Sequence, residues 1–512
     1  AKDAAASRDL IGRFGVGFYS AFMVADQVEV HTRRAGEGQG WHWTSDGKAA
    51  FTIAEAAETS RGTRIVLHIR KADAEFVDSA RLGRIVRTYS DHIAVPIVLV
   101  DGGKEEMLNT GSALWMRPKA EITDAQYNEF YHHVGHAFDE PWLRTHFKVE
   151  GVIEYAGLLF IPSIRPLDLF HPDRKHKVKL YVRRVFITED CEGLVPAYLR
   201  FLVGVIDSED LPLNISRESL QSNPVLARMR SAIESRVLAK LKKKAADAPE
   251  DYAKFWESFG AVIKEGLYED TGGRDKLFEL ARFRSTGADG LVSLDDYLGR
   301  MRPGQERIYY ITGEATAALA NSPQLEGFRA KGVEVLLLAD PIDEFWIPAV
   351  AAYKGKPFKS VTRGGADLSG IAAPAEAESE AEPAQADGVE ELVAALKLAL
   401  KDAVKGVRAS ERLTESAVCL VADDGDLDMN LARLLKQHGQ LASASARILE
   451  LNPRHPLIAK LAARVKDKGA AAGVDDAAWL LLDQARILEG EPLPDPAAFA
   501  RRMTAVMEHG LT

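Results

Sequence analysis

Three glycines stand within six residues at Gly12-Arg13-Phe14-Gly15-Val16-Gly17, and the run continues into Phe18-Tyr19-Ser20-Ala21-Phe22. Glycine opens backbone conformations closed to residues with a Cβ and lets the chain approach a ligand closely. Apolar residues at Phe18, Ala21, Phe22 and Ala25 predict the start of a helix. A glycine loop feeding a helix N-terminus presents backbone N–H groups and the positive end of the helix dipole, which suits a phosphate. The spacing is G-x-x-G-x-G, the reverse of the dinucleotide fingerprint, and it lacks the Lys-Ser/Thr ending of a P-loop. By itself it fits equally well a glycine-rich turn that packs a helix closely.

A second stretch that could do chemistry is Asp207-Ser208-Glu209-Asp210-Leu211-Pro212-Leu213-Asn214-Ile215-Ser216-Arg217-Glu218-Ser219-Leu220-Gln221. Ser216 is placed to cap a helix whose first turn carries Glu218. Arg217 then sits at the mouth of a loop, where its guanidinium can fork onto phosphate oxygens. A local ion pair with Glu209 or Asp210 would satisfy the same charge, and on the residues alone it is the simpler reading. No metal site emerges from the residue pattern. His132, His133 and His136 lack a carboxylate or thiolate partner at ligand spacing and read as surface histidines. Asp423–Asp428 lacks the closing glutamate of a calcium loop.

The elements that must position these residues follow from composition and periodicity. A chain of 512 residues suggests roughly three to four domains, with ample core. A net charge of -10 argues against a mainly nucleic-acid-binding role, and no apolar run is long enough to span a bilayer. Cys191 and Cys419 have no CxxC partner and fit two inert thiols in a reducing cytoplasm. Residues 27–32, 40–44, 50–53 and 62–69 read as strands, 78–94 as a helix, and Ile97–Val100 as a buried strand before an Asp101-Gly102-Gly103 turn. The chain turns polar around 102–110. Thr123 caps a predicted helix over 124–134. Residues 149–161 and 177–187 carry period-two patterns, with 179–188 read as one strand, and 196–203 reads as a helix. Long helices are predicted over 225–245 and 251–267, the second with a buried aromatic stripe of Tyr252, Phe255, Trp256 and Phe259. Residues 307–312 and 333–338 read as buried strands in a parallel arrangement. Phe345 and Trp346 suit either packing or exposure to an unfolded polypeptide. Residues 364–388 are acidic and rich in Ala and Pro, which predicts a mobile linker. Beyond it come a helix at 389–400, a short strand at 417–421, and a closing helical pair at 479–488 and 496–507.

The stretch Asp9–Phe22 resembles the lid-end glycine loop of the heat-shock protein 90 family of molecular chaperones, bacterial HtpG type, which use the GHKL fold. The strand Lys179–Thr188, the Arg217 loop and the terminal helical pair match the same family in the same order. The resemblance implies an α+β multidomain chain. Its parts would be a partial GHKL (Bergerat) α/β sandwich ATP domain at 1–104 and an α/β middle domain at 105–365, divided near 250. The acidic linker at 366–388 and a mainly α C-terminal dimerisation domain at 389–512 would follow. It implies ATP with Mg2+ as cofactors, held by Gly12, Gly15, Val16, Gly17, Phe18 and Thr63. Arg217 would reach the γ-phosphate in trans, supported by Gln221. It implies hydrolysis coupled to an open and closed homodimer cycle, joined through the C-terminal helices, in a cytoplasmic stress-response protein. Clients would be unfolded or partly folded proteins, with other chaperones as partners and neither nucleic acid nor membrane. The stretch at 162–170 resembles the family's ordered loop with exposed apolar residues, and the helix after Leu427 resembles one that touches clients in the family.

The family's catalytic glutamate and magnesium-binding asparagine lie upstream of the glycine loop. The expectation is therefore a chain beginning inside its nucleotide domain, with little or no ATP hydrolysis of its own. Two other functions fit part of the pattern. One is a nucleotide-independent holdase. The other is a GHKL ATPase acting on DNA, for which neither the lysine loop nor the acidic metal module is present.

Overall fold

The computed structural model describes residues 17–56, 60–211, 223–364, 368, 370–372, 387–441, 445–468 and 474–511. The chain forms two units, Ala1–Pro196 with Arg200–Ile233, and Ala197–Leu199 with Glu234–Thr512.

In the first unit, β1 (Ala25–Arg33), β2 (Gly40–Ser45), β3 (Phe51–Ala56) and β4 (Gly62–Ile69) form an antiparallel sheet in the order β3-β2-β1-β4. Because side chains alternate along a strand, the register sorts them into two faces. Val28, Val30, Trp41, Trp43, Ile53, Ile65 and Leu67 share one face, whereas Glu29, His31, His42, Thr44 and His68 share the other. The predicted helix from Phe18 is a seven-residue 3-10 turn, Gly17–Met23, and Ala25 already pairs with Ile69 in β1. The Arg70 guanidinium donates to the Phe22 carbonyl and closes that end of the turn.

The helix Ser79–Tyr89 starts on the Asp78 carboxylate, which accepts from Arg81 N at 2.7 Å. It stops five residues short of the sequence-based expectation. Beyond it the Asn109 side chain takes over the backbone, accepting from Ile97 N at 2.7 Å and donating to the carbonyls of Ile93 and Val95. β5 (Val98–Asp101) and β6 (Lys104–Met107) form a hairpin about Gly102-Gly103, whose positive φ angles (+56° and +80°) suit glycine. The expectation of a buried strand here is corrected. Val98 and Val100 are exposed, because a two-stranded hairpin beside a charged partner strand leaves most of its side chains in water.

β7 (Pro141–Val149), β8 (Tyr155–Pro162), β9 (Lys177–Val182), β10 (Val185–Thr188) and β11 (Val203–Ser208) build the second sheet, in the order β10-β9-β11-β8-β7. β11 lies antiparallel to β8 and parallel to β9, and both β8 and β11 are buried throughout. Burial on both faces removes the alternation that marks a half-exposed strand. The predicted helix at 196–203 is corrected: only Ala197–Leu199 take a 3-10 turn, and Val203 already opens β11. The predicted single strand 179–188 is two strands folded at Arg183-Arg184, where both residues adopt left-handed backbone (φ +52° and +64°), as a two-residue hairpin turn requires. The helix Asp124–Gly135 carries the predicted Thr123 cap, completed by Gln126 into a capping box, and packs Tyr127, Tyr131 and Val134 into the core with Trp115 and Phe160.

The second unit opens on the predicted helices, Pro224–Asp247 being shared with the first unit and Pro249–Glu269 burying its aromatic stripe. Its sheet comprises β12 (Phe283–Ser285), β13 (Ala288–Val292), β14 (Ile308–Thr312), β15 (Leu336–Leu338), β16 (Ala352–Tyr353) and β17 (Lys356–Ser360), ordered β13-β12-β15-β14-β17-β16. The parallel expectation holds for β14 with β15 and β17, while β12 joins antiparallel. A further, three-stranded sheet, β18 (Gly406–Ala409), β19 (Val418–Val421) and β20 (Ile448–Leu451), packs on the helices Val389–Leu400, Pro456–Lys468 and Asp475–Leu488. The acidic linker falls almost wholly outside the described residues.

Buried charge ties this unit together. Lys264 Nζ lies 2.7 Å from both Asp340 and Asp343. The Trp346 indole, fully buried, donates to Asp343 at 2.6 Å, while Phe345 stays exposed. Asp428 caps the helix Met429–Gln437 and accepts from Thr312, Ser360 and Thr362 at 3.2, 2.5 and 2.8 Å. Asn430 Nδ2 donates to buried Glu344 at 2.8 Å. Cys191 and Cys419 are buried free thiols. Among the described residues, no helix is long and apolar enough to cross a membrane.

Two outcomes are expected. Gly204 has φ +145°, and a Cβ there would lie 2.1 Å from the Leu158 carbonyl oxygen. Gly204→Ala should therefore separate β8 from β11 and abolish cooperative urea unfolding of the first unit. Burial, reinforced by the Asp428 charge, raises the Glu344 carboxyl to about 7. The native state then holds a proton that the unfolded chain loses near pH 4.5, so this group's contribution to stability falls as pH rises from about 4.5 to 7. In urea titrations across that window, Glu344→Gln should flatten the slope.

Candidate functional site

Gly12, Gly15, Val16, Arg217 and Gln221 lie outside the described residues. Gly17, Phe18 and Thr63 lie within them. The Phe18 ring meets Trp43 edge-on, with centroids 5.6 Å apart. The Thr63 hydroxyl is exposed and sits 2.9 Å from that of Thr32, its cross-strand partner. The register puts Trp43, Thr32 and Thr63 on the same sheet face, so the structure brings Phe18 and Thr63 to one surface.

The described chain leads into the Arg217 loop through the end of β11. Asp207 is buried there and each of its carboxylate oxygens accepts a hydrogen bond. It accepts from the Trp115 indole at 2.9 Å and from Arg184 N at 3.1 Å. Burial raises the Asp207 carboxyl above its ordinary value, against the pull of these donors. The Ser208 hydroxyl then accepts from the backbone N–H groups of Asp210 and Leu211, and Asp210 in turn accepts from Glu154 N at 2.7 Å. Arg183 N donates to the Ser208 carbonyl at 3.1 Å and its guanidinium to the Glu209 carbonyl at 3.3 Å. Every residue from 207 to 210 is thus fixed by a side-chain or backbone bond. A cleft of about 250 Å³ opens at this point, lined by Lys148, Glu154, Arg183, Arg184, Asp207 and Glu209 among others.

The residues that hold this base, Trp115, Arg183, Arg184 and Asp207, were not singled out in the sequence. A signal existed for two of them. A buried tryptophan needs an acceptor for its N–H, and an aspartate closing an apolar strand is a natural one.

The loop Ser163–Phe170 lies elsewhere on the same unit. Asp139 pins its start, accepting from Ser163 N, Ser163 Oγ and Ile164 N at 2.8, 2.9 and 3.1 Å. Arg200 Nε donates to the Leu169 carbonyl at 2.9 Å, and Leu169 is fully buried. Held at both ends, the loop exposes Ile164, Leu167 and Phe170, as expected.

The family model described as Hsp90 protein matches residues 101–512. The chain belongs to the Hsp90 family of molecular chaperones. Chaperone protein HtpG of Paramagnetospirillum magneticum is 60% identical over 511 residues, covering 99% of this chain and 82% of the relative. The HtpG proteins of Rhodospirillum rubrum and Roseobacter denitrificans are 54% and 53% identical, covering 100% and 98% of this chain and 82% and 80% of theirs. Within the family the chain is therefore of the bacterial HtpG type.

Asp207→Ala should orphan the Trp115 and Arg184 donors, at about 1–3 kcal/mol for each buried group left unpaired. Hydrogen exchange should accelerate at residues 207–211 before the unit unfolds globally, and Asp207→Asn should lose less because it keeps one acceptor.

Proposed function

We propose that this chain serves in an ATP-dependent chaperone whose nucleotide cycle runs through the glycine loop and the Arg217 loop, and that these 512 residues by themselves hydrolyse little or no ATP. The proposed domains are those expected from the sequence, 1–104, 105–365 and 389–512, joined by the acidic stretch 366–388. Backbone amides from Gly12, Gly15, Val16, Gly17 and Phe18 would cradle the phosphates of ATP accompanied by Mg2+, and the Thr63 hydroxyl would sit near adenine. Arg217, supported by Gln221, would reach the γ-phosphate. A charged hydrogen bond of this kind is worth about 1.5–3 kcal/mol. That is roughly a ten- to hundredfold bias toward a closed state that contains the bond over an open one that does not.

The observation that carries the reading is the anchored end of β11. A guanidinium that reports on nucleotide needs a rigid foot, because an unanchored loop would spend its binding energy on ordering itself. Residues 207–210 provide that foot. The homodimer would form through the helices Asp475–Leu488 and Pro496–Leu511, whose Ile487, Leu488, Met503, Val506 and Met507 are exposed in the single chain. Unfolded clients and other chaperones would be the partners.

The exposed Ile164, Leu167 and Phe170 favour a second reading, in which client holding needs no nucleotide. Suppression of thermal aggregation of a test client, with and without ATP, separates the two. ATP-sensitive suppression that Arg217→Ala makes ATP-insensitive is the expected result. Suppression indifferent to ATP in both proteins, yet weakened by Leu167→Ser, would favour holding alone.

A further inference from the structure

We propose that Glu29, His31 and His42 form a site for a zinc-class divalent cation on the polar face of the first sheet, with His68 orienting the carboxylate. The register builds it. His31 and His42 stand directly opposite across β1 and β2, and Glu29 precedes His31 by two residues, so all three project from one face. His68 on β4 pairs with Gln27 and so lies diagonal to Glu29 on that face. Most of the large apolar side chains of the sheet occupy the opposite face, Val66, which pairs with Glu29, being the exception.

The distances suit the ion. A tetrahedral zinc with bonds of about 2.0–2.2 Å holds its ligand atoms roughly 3.3–3.5 Å apart. Glu29 Oε2 lies 3.1 Å from His42 Nε2 and 3.6 Å from His31 Nε2. One ligand atom from each residue falls within 4.8 Å of the other two, and among the described residues no other trio of His, Cys, Asp and Glu meets that condition. The second carboxylate oxygen accepts from His68 Nε2 at 2.7 Å, the outer-shell bond that fixes a ligating carboxylate. Three protein ligands leave one position for water. Side-chain exposures of 24–32% for the three ligands let a hydrated ion reach them without leaving them loose in solvent.

Coordination requires two local changes. The rings of His31 and His42 stack 4.1 Å apart at 7°, so their Nε2 lone pairs run side by side and must tilt to converge. Torsion about the ring bond is broad, so the tilt costs little. His42 donates to Glu29 through Nε2, and that nitrogen must be unprotonated to bind metal, so the shared proton must leave and each ring then carries its proton on Nδ1. Imidazole and carboxylate together favour Zn(II), Ni(II) or Cu(II) over Mg(II) or Ca(II). One neighbour opposes binding. Arg64 pairs with His31 from β4 on the same face and brings a positive charge.

Zinc titration of the full chain against a chromophoric chelator tests the site, with circular dichroism confirming that each variant is folded. One equivalent should bind per chain. The double variant His31→Gln/His42→Gln should lose it, His68→Gln should weaken it about 10- to 100-fold, and Arg64→Gln, which removes no ligand, should tighten it. Cobalt(II) should give intense visible bands of a tetrahedral site in the native chain and not in the double variant. Zinc retained by the folded double variant, or no saturable binding to the native chain, would overturn the proposal and leave the cluster a cross-strand hydrogen-bond network.

Discussion

A carboxylate can sit inside a protein only where donors replace the water it has lost. Asp207 meets that constraint at the centre of the first unit, and the surrounding structure follows from it. Its two oxygens hold the Trp115 indole, which sits in the hydrophobic core, and the backbone of the Arg183-Arg184 turn. One side chain thereby fixes the segment around Trp115, the tip of the β9–β10 hairpin and the last residue but one of β11. The same rule shapes the second unit. Glu326 accepts from three consecutive backbone N–H groups, those of Thr414, Glu415 and Ser416. Glu450 gathers Arg408, Ser410 and Arg412. In each case a buried charge joins stretches far apart in sequence, and removing the charge alone would leave its donors stranded.

Much of the architecture was legible because it obeys simple periodicities. The helix Pro249–Glu269 announces itself by aromatic spacing, β1 by the alternation of residues 27–32, and β4 by its β-branched and apolar run. The failures share a cause. β8 and β11 are buried on both faces and do not alternate, so one was blurred and the other went unread between a predicted helix and a predicted loop. β7, β18 and β20 escaped notice for want of a local pattern, since their identity depends on partners remote in the chain. The turn at Arg183-Arg184 was unreadable because two arginines replace the glycine or asparagine that usually signals left-handed backbone.

The candidate site was legible in a different way. Nothing in residue chemistry alone distinguishes Arg217 from an arginine in a surface ion pair, and nothing in three glycines distinguishes a phosphate cradle from a tight turn. Family resemblance supplied that distinction, and the matched span, residues 101–512, takes in the Arg217 loop but not the glycine loop. The supports were invisible from either direction. Trp115 and Arg184 lie 92 and 23 residues from Asp207, and only the fold brings them together. The histidines of the first sheet were equally hidden. His31, His42 and His68 sit on three strands, and no spacing rule links them until the register is known.

The buried lysine of the second unit has a thermal consequence. Lys264 lies between Asp340 and Asp343, almost wholly removed from solvent. Hydration of a charged group carries a strongly negative entropy, so water's hold on the free ammonium and carboxylates weakens on warming, while apolar burial levels off. The triad therefore grows more favourable, relative to its solvated parts, as the temperature climbs. This member of the Hsp90 family thus carries in its interior a clasp whose hold strengthens on heating.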